Sequence, residues 1–137
     1  MNNKDFIPYQ ESLELKKLGF DEPCFFAFDN CSTPMRCSDL RTNEQKFNGV
    51  NYNSSTYTSQ PTFSQAFRWF REKHNLQSHI FLTYEGVTTN EHNEYAFATL
   101  KAGGYDYMID DDNYPYEEAE LACLRKLIQI VKQGGKQ

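Results

Sequence analysis

Apolar positions along this chain follow two periods, and the switches between them mark the elements. Pro8-Tyr9-Gln10-Glu11 opens a first helix, with proline near the start and an acid in the first turn. Leu13, Leu15 and Leu18 give it an apolar side, and Gly19 stops it as the C′ residue. Cys24-Phe25-Phe26-Ala27-Phe28 is a short continuous apolar run between Pro23 and Asp29-Asn30, which reads as a buried strand. Thr62-Phe63-Ser64-Gln65 has the form of a capping box. The helix after it, running to about Asn75, carries Phe63, Ala66, Phe67 and Phe70 at i, i+3, i+4, i+7, with Trp69 flanking that stripe.

The second half turns to β-type patterning. His79-Ile80-Phe81-Leu82-Thr83-Tyr84, Tyr95-Ala96-Phe97-Ala98-Thr99-Leu100 and Tyr105-Asp106-Tyr107-Met108-Ile109 predict three strands. Turns at Thr88-Thr89-Asn90 and Gly103-Gly104 join them into an antiparallel meander. Pro115-Tyr116-Glu117-Glu118 then opens a last helix that ends at Gly134-Gly135. Its apolar residues, from Ala119 to Val131, cover more than half its circumference, so it should lie between the sheet and another helix. Arg125, Lys126 and Lys132 suit the negative end of its dipole. Residues 29–61 are polar, with a hairpin signal at Asn48-Gly49. The expected fold is α+β. It is a two-layer arrangement of about three helices on a mostly antiparallel sheet, made of the meander plus one or more N-terminal strands. The whole is a single domain, 1–137, with a polar, flexible insertion at about 29–61.

Composition narrows the class. The chain has 137 residues, and its 11 Phe, 9 Tyr and 1 Trp argue against intrinsic disorder. No apolar run reaches the ~20 residues that span a bilayer, and Met1-Asn2-Asn3-Lys4-Asp5 leads into no apolar signal segment. A cytoplasmic protein with no membrane partner is expected. Cys24, Cys31, Cys37 and Cys123 have no metal-type spacing and are expected as reduced thiols.

Charge changes the picture more. The net −5 is uneven: residues 1–84 sum to zero, 85–122 to −9 and 123–137 to +4. From Asp106 through Asp110, Asp111, Asp112, Glu117, Glu118 and Glu120 there is no Lys or Arg. Such a field repels phosphate backbones and attracts cationic surfaces. Interleaved with Tyr105, Tyr107, Tyr114 and Tyr116, it makes a candidate docking face for a basic partner; a plain solvated acidic face is the alternative.

Catalytic motifs fail on inspection. His92-Asn93-Glu94 is half of a zinc-deaminase signature whose P-C-x-x-C half is missing. Asp110-Asp111-Asp112-Asn113 lacks the Gly and the later ligands of a calcium loop, since Tyr114 and Pro115 occupy those positions. Glu14-Leu15-Lys16 and Glu44-Gln45-Lys46 have E-x-K spacing, a pattern too common to support a metal-dependent nuclease or hydrolase. No phosphate loop, dinucleotide fingerprint or nucleophile elbow is present. No catalytic residue, metal or cofactor is therefore expected. Arg68, Trp69, Arg71 and Lys73 form the one basic and aromatic cluster, an alternative nucleic-acid-binding patch.

Three stretches carry a family likeness: Leu15-Lys16-Lys17-Leu18-Gly19-Phe20-Asp21-Glu22-Pro23-Cys24-Phe25, the run from Ser64 to His74, and the run from Tyr116 to Ile128. Together they resemble a family of small uncharacterised proteins encoded in phages and prophages of Bacteroidetes-type bacteria. The stretches are scaffold, so the resemblance brings context and no active residues. That context implies a non-enzymatic accessory protein that binds and inhibits a nucleic-acid-processing defence complex of the host, in the manner of an anti-CRISPR protein. The partner is then a host protein or ribonucleoprotein with a basic surface, met in the bacterial cytoplasm.

Overall fold

A computed structural model of the chain describes residues 3–29, 34–36, 53, 57–82, 95–101 and 107–134; for 3, 34–36, 101 and 107–113 it describes the backbone alone. The class is α+β, with three helices and six strands among the described residues. The chain divides into two compact units, residues 1–62 and 63–137, each with its own three-stranded antiparallel sheet. The sequence reading had put the N-terminal strands and the meander in one sheet.

In the first unit, helix α1 spans Tyr9–Lys17. Pro8 sets its N-cap, and Gly19 takes φ 96° just past its end. The Gly19 amide donates to the Lys16 carbonyl at 3.1 Å and the Phe20 amide to Leu15 at 3.0 Å. This paired closure needs a left-handed residue at Gly19 and brings Phe20 over Leu15, both fully buried. The expected apolar side is corrected. Leu15 is buried, but so are Glu11 and Ser12, while Leu13 is only half-buried. Leu13 lies two residues before Leu15, about 200° around the helix, so the two cannot share a stripe.

Strands β1 (Phe26–Phe28), β2 (Pro34–Arg36) and β3 (Thr58–Gln60) form the first sheet in the order β2-β1-β3. Ala27 and Phe28 are buried, whereas Phe25, read as core, is 52 % exposed. It precedes the strand in a bend, so the continuous run does not bury throughout. Two of these strands come from the polar stretch 29–61. Polar side chains anchor it: Gln60 Nε2 donates to the Ile7 carbonyl at 3.0 Å, and Lys16 Nζ to the Tyr57 carbonyl at 3.0 Å. Asn53 bridges the Phe20 carbonyl and the Ser59 amide at 2.6 and 2.8 Å. For Asn53 and residues 57–60, the low hydrophobicity goes with hydrogen-bonded anchoring. The hairpin at Asn48-Gly49 lies outside the described residues, as do His92-Asn93-Glu94, Cys31 and Cys37.

In the second unit, α2 (Phe63–His74) begins after Thr62 and ends at Asn75, which takes φ 54°, a left-handed conformation that Asn tolerates. Strands β4 (Leu76–Leu82), β5 (Tyr95–Lys101) and β6 (Tyr107–Tyr114) form the expected meander in the order β4-β5-β6. Helix α3 (Tyr116–Gly134) packs against β4, β5 and α2, as its wide apolar face requires. Ala119, Cys123, Leu124 and Leu127 are fully buried there with Phe70 and Ala66. One boundary is corrected. The last strand, expected over Tyr105–Ile109, runs on through Asp110–Asn113 to Tyr114. Backbone pairing across from β5 overrides the low strand propensity of Asp and Asn.

Candidate functional site

Strand β6 is an edge of its sheet among the described strands. Its pairing with β5 is regular from Leu100↔Tyr107 to Phe97↔Asp110, then slips to Tyr95↔Tyr114. Two residue steps on β5 thus face four on β6, and Asp111, Asp112 and Asn113 lie in the resulting bulge. A bulge twists an edge strand and interrupts its ladder, which disfavours addition of a further strand.

Pro115 then turns the chain into the first turn of α3, where Glu117 and Glu118 are exposed. The positive end of the helix dipole favours acids at that place. The predicted residues Tyr107, Asp110, Asp111, Asp112, Tyr114, Glu117 and Glu118 thus follow one another along a single edge-to-helix corner. Tyr105 and Asp106 lie outside the described residues.

The register adds two residues that the sequence reading missed. Leu82 pairs with Tyr95, and Tyr95 with Tyr114. Directly opposed residues share a sheet face, so the three form a row across the end of the sheet. Leu82 is 44 % exposed, and Tyr95 and Tyr114 are half-buried. Tyr116, 45 % exposed, meets Tyr95 edge-to-face with centroids 5.0 Å apart. Partial burial raises the Tyr116 phenol above its ordinary pKa, and the charges of Glu120, Tyr95 and Glu117 raise it further. The corner is therefore a row of two half-buried tyrosines flanked by exposed Leu82 and Tyr116, beside the exposed acids Glu117 and Glu118. No local pattern could have joined Leu82 to it, because that needs the strand register.

The alternative patch separates into its parts. Arg68, Arg71 and Lys73 are exposed on α2, but Trp69 is 3 % exposed, packed edge-to-face on Phe70 and His74 at 5.1 and 4.9 Å. An indole held inside presents no face for a base to stack on. Trp69 is three residues after Ala66, and it turns inward with that side of the helix.

Other chemistry is sparse among the described residues. Cys24 and Cys123 are buried thiols. Burial pushes the Cys123 thiol up to about 12, against a hydrogen bond with Ser78 that lowers it and the charge of Glu120 that adds to the rise. A thiol held protonated is a poor nucleophile at neutral pH. Among the described residues, no three His, Cys, Asp or Glu side chains come together as metal ligands, and no helix is long and apolar enough to cross a membrane.

Compared with family models, curated proteins and solved structures, the chain matches none.

Proposed function

We propose that this chain is a non-enzymatic binding protein that docks through the β6–α3 corner onto a cationic surface of a nucleic-acid-processing complex. The observation that carries the reading is the row of Leu82, Tyr95, Tyr114 and Tyr116, of which Leu82 and Tyr116 are exposed, set beside exposed Glu117 and Glu118 and continuous in the chain with the bulge of β6. Aromatic anchors inside a charged rim are the usual make-up of a protein interface. An acidic rim selects a basic partner and speeds the encounter with it. The phage and prophage resemblance supports a host defence nuclease as that partner, with inhibition by occupying the channel that would hold guide or target nucleic acid.

The test is stoichiometric co-purification of the host nuclease with the tagged protein, followed by assay of that nuclease. Asp110→Asn, Asp111→Asn and Asp112→Asn together should release the nuclease and restore its cleavage. Capture that survives this triple change contradicts docking by the acidic corner. Direct binding to RNA or DNA that is lost on changing Arg68 and Arg71 to Ala would instead favour α2 as a nucleic-acid site.

A further inference from the structure

We draw no further inference here: the strongest candidate, the outer edge of β4 along Leu76–Leu82, which holds no Lys, Arg, Asp or Glu and pairs with β5 without a bulge, carries nothing because nothing among the described residues shows what covers it.

Discussion

Helix α2 and the β6–α3 corner are built from the same two ingredients, aromatic rings and charges, and use them in opposite ways. On α2 the rings go in: Phe63, Trp69 and Phe70 are each at most 6 % exposed, and Arg68, Arg71, Glu72 and Lys73 face solvent. At the corner the rings stay partly out: Tyr95 and Tyr114 are half-buried and Tyr116 is exposed, beside the exposed carboxylates of Glu117 and Glu118. The difference lies in the backbone. A helix at 100° per residue gathers rings on its core side and leaves the charges outside. At the end of the sheet, where a bulged strand runs straight into a helix, the rings of Tyr95, Tyr114 and Tyr116 are only partly covered. Aromatic content therefore locates a surface only once the element that carries it is known.

Substitutions at the two places should differ most in stability. Trp69→Ala should cost about 3–5 kcal/mol, the range for a core aromatic, read from urea unfolding. Tyr116→Ala removes an edge-to-face contact with Tyr95 from a side chain already 45 % exposed and should cost about 0.5–1.5 kcal/mol. Equal losses would mean that the corner is as buried as α2 and the contrast is wrong. Glu117→Gln and Glu118→Gln should each cost about 0.3–1 kcal/mol through the helix dipole, an effect that added salt diminishes.

The smallest effect concerns His74, packed against Trp69 and Phe70. Burial lowers its pKa below the ordinary 6.5. The unfolded chain then binds the proton more readily than the folded one, so stability from this residue is complete above pH 6.5 and is lost as pH falls below it. The melting temperature of the wild type should fall more between pH 7 and 5 than that of His74→Phe. An NMR titration of His74 with its midpoint at or above 6.5 would contradict this packing.

Much of the fold is legible because its signals are local. Pro8, Gly19, Thr62 and Pro115 place the helix ends, and the apolar positions of α2 and α3 follow one period each. What could not be read depends on pairing between distant residues. Nothing in Pro34–Arg36 or Thr58–Gln60 announces a strand, since β1 holds them through backbone bonds that any sequence can make. The site divides likewise. Tyr107 through Glu118 are visible as one acidic, tyrosine-rich stretch, whereas Leu82 and Tyr95 join it only through the sheet register. Trp69 was misplaced because a lone ring at the margin of a stripe gives no sign of which way it packs.

The central claim is that binding resides at the corner and not on α2. It is tested by titrating the captured host complex with two variants of the tagged protein. One carries Tyr116→Ala, Glu117→Gln and Glu118→Gln; the other carries Arg68→Ala, Arg71→Ala and Lys73→Ala. All six residues are exposed, so both variants should fold. The account predicts affinity at least about tenfold weaker for the first, as loss of an aromatic anchor and its rim charges requires, and unchanged for the second. Unchanged affinity for the corner variant with loss for the α2 variant would contradict it.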